Sequence, residues 1–251
     1  GATGFLVGEE SRGLEYMFVM MTAARFSVGV QGVAISERAY QQALAYAQER
    51  VQCRPVDGSA KEAVAIIQHP DVRRMLLRMR ALTEGGRSLA LATAGWLDLA
   101  HHGEEDQGRD AHAMGEFLVP LVKSFCTERA LEVTSLGVQI HGGMGFIEET
   151  GIAQLYRDAR ILPIYEGTTA IQANDLLGRK VLRDGGETAR RFAELIKETE
   201  TALAQGAPRR GGGLCDGIVG GDGTLRCRER VPQSLPLAVL SQQHPCRLAN
   251  E

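Results

Sequence analysis

Glu166 sits at a position suited to proton chemistry. It lies in the run Tyr165-Glu166-Gly167-Thr168-Thr169-Ala170-Ile171-Gln172. Threonine is a good N-cap residue, so Thr168 is expected to open a helix. Glu166 is then held on a turn at a helix start rather than on a mobile surface. Two roles fit that placement. One is a surface acid stabilised by the helix dipole. The other is a general base that removes a proton next to a carbonyl, for which the carboxylate must be dry, positioned and aimed at the carbon. An ordinary Glu, with a pKa of about 4.3, is a weak base for such a proton. Desolvation by a bound apolar substrate would strengthen it.

A second concentration of candidates is Gln139-Ile140-His141-Gly142-Gly143-Met144-Gly145-Phe146, followed by Tyr156-Arg157-Asp158-Ala159-Arg160. Glycines after a long helix usually cap it. A glycine pair also lets backbone N–H groups approach a phosphate or a ring carbonyl. Spacing alone leaves both roles open. His101, His102, Glu104, Glu105, Asp106, Asp110 and His112 lack a closed tetrahedral ligand spacing and read as a solvated loop, so no metal is expected. Cys126 reads as a buried thiol, and Cys53 as a loop cysteine with no evident histidine partner.

Long helices must position these groups. From Leu14 to about Arg50 there is no proline, and Leu14, Met17, Phe18, Met21, Val28 and Gly32 recur at three- or four-residue steps. Ala23, Ala24, Gly29, Gly32 and Ala34 would admit another helix closely. A second helix is expected to open at Pro70, with Val72, Met75, Leu76, Met79, Leu82, Gly86, Leu89, Ala90, Thr93 and Leu97 as its stripe, and to end near Gly103. A third runs from about Gly108 to Ile140, its inner face Ala111, Met114, Phe117, Leu118, Leu121, Val122 and Phe125, with Pro120 expected to kink it. Shorter helices are expected near 168–182 and 187–204. Helices of some thirty residues are ~45 Å long and, with short connections, pack as an up-and-down all-α bundle.

Composition narrows the function classes. The 28 basic and 31 acidic side chains of the 251 residues give a formal charge of -3, with no long basic run, so nucleic acid is not the expected partner. No eighteen uninterrupted apolar residues occur, so no membrane span is expected. No charged-then-apolar leader follows Gly1, so a secretory signal is either absent or already removed; the scattered cysteines fit no disulfide framework, which points to a reducing cytoplasm. Residues 207–251 carry seven glycines, four of the eight prolines and no lysine. They show neither helical nor strand periodicity and read as a disordered or aberrant tail.

The segment RDARILPIYEGTTAIQ, with QIHGGMGF upstream, resembles the signature of the acyl-CoA dehydrogenase family. GATGFLVGEESRGLEYMFVMMTAAR resembles the exit from that family's middle β domain into its C-terminal helical domain. QERVQ, IIQHPDVRRMLLRMRALTEGGRSLALATAGW and FLVPLVKSF resemble the long-chain branch that includes 3-methylmercaptopropionyl-CoA dehydrogenases. The resemblance covers roughly residues 1–200. It implies residues 1–13 as a β remnant and 14–206 as the helical bundle domain. It also implies FAD-dependent α,β-dehydrogenation of an acyl-CoA thioester. In that reaction Glu166 takes the α proton, the β hydrogen leaves as hydride to the flavin, and an electron-transfer flavoprotein accepts the electrons. Arg50 matches an arginine on the flavin pyrophosphate of a neighbouring subunit. Gln139, Gly142 and Gly143 match contacts to the same cofactor across the interface of a homo-oligomer. Thr168 matches a residue near the flavin, Arg25 a substrate-contacting arginine, and Gly167 a residue lining the thioester.

The chain departs from the family pattern at Gln52 and Cys53, where an aromatic residue and a glycine are common, and at Ala170, often glutamine. Either Gln68 or His69 is then the candidate for the cofactor-facing position beyond Arg50. The N-terminal helical domain and most of the β domain of the family do not appear in this sequence. A gene fragment with a shifted reading frame after about Gln205 would account for its two ends. A non-catalytic helical oligomerisation module is the alternative to an enzyme.

Overall fold

The computed structural model describes residues 1–206 of the chain. Three long helices dominate: α1 (Gly13–Glu49), α2 (Pro70–His102) and α3 (Glu105–His141). Each boundary falls within three residues of the one read from periodicity. Pro70 opens α2 as its first residue, and Gly103 and Gly142 follow the last residues of α2 and α3. The helix α3 runs without a break through Pro120. It is the centre of the fold and packs along both α1 and α2, which touch each other less.

Shorter elements follow: α4 (Gly143–Phe146), α5 (Ile152–Ala159) and α6 (Thr169–Asp175), the last continuing as a π-helical segment (Leu176–Val181). Thr168 caps α6, its hydroxyl accepting from the Ile171 N–H at 3.4 Å. Among the described residues there is no strand. Residues 1–12 are coil and turn, because a strand needs a partner to satisfy its backbone groups. The chain divides into two units at Thr188. Most of α7 (Glu187–Gly206) lies in the second, as a helix of twenty residues. The tail expected from residue 207 onward lies outside the described residues.

One core joins Ala39, Ala43 and Ala47 of α1 to Met75, Leu76 and Met79 of α2, Val133 and Ile140 of α3, and Ile152 of α5. A second sets Val28 against Ala130, Ala159 and Leu162, and a third sets Val33 and Ala90 against Val122 and Cys126. Burial holds the Cys126 thiol's pKa up at about 12. The glycines of α1 do what their size suggested. A Cβ on Gly32 would lie 2.7 Å from the Cys126 carbonyl oxygen, and one on Gly29 would lie 2.5 Å from Val122 Cγ1.

Two readings of the helix faces needed correction. Phe125, expected inside, is exposed, while Lys123, two residues before it, is fully buried. Leu14, Met17 and Phe18, read as the start of the inner face of α1, are exposed as well; burial along this helix begins at Arg25. The same helix holds an 18-residue window of mean hydropathy 1.4, enough by length and composition to cross a membrane, of which 28% is buried within the fold.

The α1–α3 approach makes a direct prediction. Replacing Gly32 with Ala forces a methyl group into the α3 backbone and is expected to cost about 1–3 kcal/mol. Denaturant unfolding of the variant should show a lowered midpoint with an unchanged slope.

Candidate active site

The segment from Tyr165 to Thr168 turns sharply because two successive residues are left-handed: Glu166 at φ +55° and Gly167 at φ +91°. For a residue with a side chain this conformation costs on the order of 1–3 kcal/mol and persists only where the surroundings hold it. Here they do. Lys123 Nζ donates to the Gly167 carbonyl at 2.6 Å. Gln172 Nε2 donates to the Glu166 carbonyl at 3.3 Å and to the Gly167 carbonyl at 3.2 Å. Thr169 in the following turn donates to Glu128 at 2.6 Å, and the Tyr165 hydroxyl donates to Gln31 of α1. Gly167 must be glycine on a second ground: a Cβ there would lie 2.7 Å from Gln172 Nε2.

The Glu166 side chain is half-buried, and its carboxylate makes no hydrogen bond or ion pair among the described residues. Arg25 lies beneath the turn, its Nη2 3.7 Å from where a Gly167 Cβ would be. Its Nη1 donates to Asp175 at 2.9 Å, with both side chains 10% exposed, while its Nε is buried without a partner. Burial pushes the Lys123 amine below its ordinary pKa, and Arg25 pushes the same way; Glu128 and Glu166 oppose them.

A separate groove of about 380 Å³ is lined by Tyr46, Arg50 and Gln52, by Ile66, and by Ile140, His141, Gly142, Gly143 and Met144. Arg50 is the residue that ends α1. Gly142, at φ +61°, donates its N–H to the Gln139 carbonyl at 3.0 Å and starts the turn that becomes α4. His141 stacks on Tyr46 with ring centroids 4.2 Å apart and bonds the Gly137 carbonyl through Nδ1 at 2.8 Å. Of the two candidates for the position beyond Arg50, neither lines the groove. Gln52 does, and His69 bonds the Gln52 carbonyl through Nε2 at 2.8 Å.

The family model for the acyl-CoA dehydrogenase C-terminal domain matches residues 11–181. The chain belongs to the acyl-CoA dehydrogenase family. It is 78% identical over 205 residues to a 3-methylmercaptopropionyl-CoA dehydrogenase of Ruegeria pomeroyi, covering 82% of this chain and 35% of that protein. It is 39% identical over 204 residues to a broad-specificity linear acyl-CoA dehydrogenase of Mycobacterium tuberculosis, covering 78% and 33%. A solved acyl-CoA dehydrogenase from Bacillus anthracis, complexed with FAD, superposes with a TM-score of 0.60 at 28% identity, covering 79% of this chain and 33% of that one. The chain thus spans about a third of the length of the relatives it matches. The all-α bundle is the architecture this family membership implies.

The candidate residues fall into two groups. Arg25, Glu166 and Gly167 come together, with Thr168 beside them as a cap. Arg50, Gly142 and Gly143 come together in the groove, while Gln139 is exposed and outside its lining. The groups belong to different levels of α3: Lys123 at the first and His141 at the second are eighteen residues apart, about 27 Å along the helix. Among the described residues no three His, Cys, Asp or Glu side chains lie close enough to hold a metal. Sequence reasoning missed Lys123, Gln172 and Asp175 at the turn and Tyr46 in the groove. The one signal for Lys123 was its place in the row Val119, Cys126, Ala130, all buried.

Burial lowers the His141 pKa below its ordinary 6.5, only partly offset by the Gly137 bond. The folded state therefore binds this proton less readily than the unfolded state. Stability contributed by neutral His141 is full above about pH 6.5 and falls as the pH drops below it. Denaturation midpoints measured from pH 7.5 to 5 should fall, and the slope should flatten in His141→Phe.

Proposed function

We propose that this chain is the base-bearing part of an FAD-dependent acyl-CoA dehydrogenase, with Glu166 taking the α proton of an acyl-CoA thioester. The observation that carries the reading is the combination of a pinned backbone with an uncommitted carboxylate. Glu166 is held on its left-handed turn by bonds to its own carbonyl and to that of Gly167. A carboxylate paired to an arginine loses basicity, and Arg25 is instead occupied by Asp175. Glu166 is left to accept a proton.

Loss of the α proton to Glu166, and of the β hydrogen as hydride, leaves a carbon–carbon double bond conjugated to the thioester. A bound flavin supplies the hydride acceptor. The thioester carbonyl has to be polarised as the proton leaves, and the Glu166 N–H, which donates to no described residue, is the donor this reading assigns to it. An electron-transfer flavoprotein takes the two electrons onward. The Ruegeria relative makes 3-methylmercaptopropionyl-CoA the first thioester to test.

The groove suits the diphosphate end of such a cofactor. Arg50 supplies a guanidinium fork. The groove's volume of about 380 Å³ is within the range of small-molecule sites and holds part of a dinucleotide. Its separation from Glu166 along α3 favours a homo-oligomer in which the groove of one copy serves the base of another.

Two measurements test this on the full-length gene product. In the flavin-loaded protein, Glu166→Gln is expected to slow bleaching of the flavin by acyl-CoA roughly 10²–10⁴-fold while the flavin stays bound. Bleaching at the original rate disposes of the base, and a protein that never takes up flavin is a helical module and no enzyme. Co-expressed Glu166→Gln and Arg50→Glu chains should recover activity that neither has alone, because mixed assemblies contain sites with both residues intact. No recovery places the two residues in one copy's site.

A further inference from the structure

Lys123 is fully buried, yet no carboxylate lies within ion-pairing distance of it among the described residues. Burying an ammonium group costs several kcal/mol in a real protein unless its partners return it. The packing of the fold does not ask for a cation here. Val119, Val122, Cys126 and Ala130 surround this position along α3, and all are buried. A leucine or methionine in the same row would fill the space without the penalty.

What the lysine does instead is reach the loop. Its ammonium donates to the Gly167 carbonyl at 2.6 Å, immediately after the strained Glu166. Gln172, 1% exposed, directs its amide at that carbonyl and at the Glu166 carbonyl before it, while its Oε1 is left buried and unpartnered. Two costly buried polar groups, from α3 and α6, therefore converge on one turn. The turn itself lies in the region of φ that an unrestrained glutamate avoids.

We propose that Lys123 is the positioning residue of the dehydrogenation site: by fixing the Gly167 carbonyl from within the bundle, it holds Glu166 in its left-handed conformation and aims the carboxylate at the α carbon, with Gln172 as the second anchor. The proposal rests on Glu166 being the base, and it adds the group that keeps the base aimed. Misplacing a reacting group by about 1 Å can cost 10²-fold in rate. Releasing the carbonyl lets Glu166 relax toward the right-handed or extended region, which moves its side chain much further than that.

The test uses the full-length, flavin-loaded protein. Lys123→Met keeps the length and apolar stem of the side chain and removes the donor. It is expected to lower kcat roughly 10–100-fold, with KM for the acyl-CoA changed less than kcat and flavin content kept. Lys123→Gln, which retains a donor, should lie between Lys123→Met and the parent, and Gln172→Leu should lower kcat in the same direction by less. If Lys123→Met does not fold, Lys123→Gln and Gln172→Leu carry the test, because a purely structural lysine predicts a parental kcat in both. A parental kcat in folded Lys123→Met overturns the proposal, as does a loss confined to KM or to flavin content. Glu166→Gln is run beside them. If it keeps its kcat, the reading of the base has failed. If it loses kcat while the Lys123 variants keep theirs, only the positioning role has failed.

Discussion

The missing side chains at Gly29 and Gly32 let α1 settle against the backbone of α3 near Val122 and Cys126. This contact sets the level at which Arg25, about two helix turns before Gly32, and Lys123 approach the same loop. Arg25 leaves α1 toward Asp175, and Lys123 leaves α3 toward Gly167. Widening the α1–α3 gap by one methyl group would separate Arg25 from Lys123 beneath the Glu166 turn. The setting of the Glu166 turn thus depends on helix packing before any residue of the turn is considered.

The charges beneath the turn follow from the same close approach. Arg25 and Lys123 are both buried cations, and Arg25 lowers the pKa of Lys123 further. Asp175 balances the first, while Glu128 and Glu166 act on the second from a distance. Arg25 is thus ion-paired, Lys123 is held by a backbone carbonyl instead of a carboxylate, and the Glu166 carboxylate keeps its lone pairs. At the far end of α3 the chemistry is different. An exposed arginine, a glycine turn and a stacked Tyr46–His141 pair form an open groove suited to an anion.

Most of the scaffold could be read from residues alone. Three strong periodicities, Pro70 at the start of α2 and the glycines at the ends of α2 and α3 marked the long helices to within three residues. Thr168 announced its cap, and Gly29 and Gly32 announced a close helix contact. What escaped depends on contacts distant in sequence. Nothing local marks Lys123, because its partner Gly167 lies forty-four residues further on. Phe125 passes for a core residue by type, but it faces away from the row that α1 covers. The short α5 lacks the length for a periodic signal, and its buried Ile152 and Ala159 are defined only by the helices they touch. The apolar start of α1 was read as core because apolar spacing marks a face without naming what lies opposite.

After Asp175 the chain changes pitch. In the π-helical segment from Leu176 to Val181 the N–H of Leu182 reaches back five residues, to Leu177, at 2.9 Å. A wider coil fans successive side chains through smaller angles, so two adjacent basic residues can serve two different supports. Arg179 lies over the Phe18 ring, 5.2 Å from its centroid, and Lys180 bonds Glu116. The segment that follows α6 is therefore bolted to α1 and α3 at once. Asp175, paired with Arg25 of α1, ends α6 just before this segment, so the short helix behind the Glu166 turn is tied to the same two long helices.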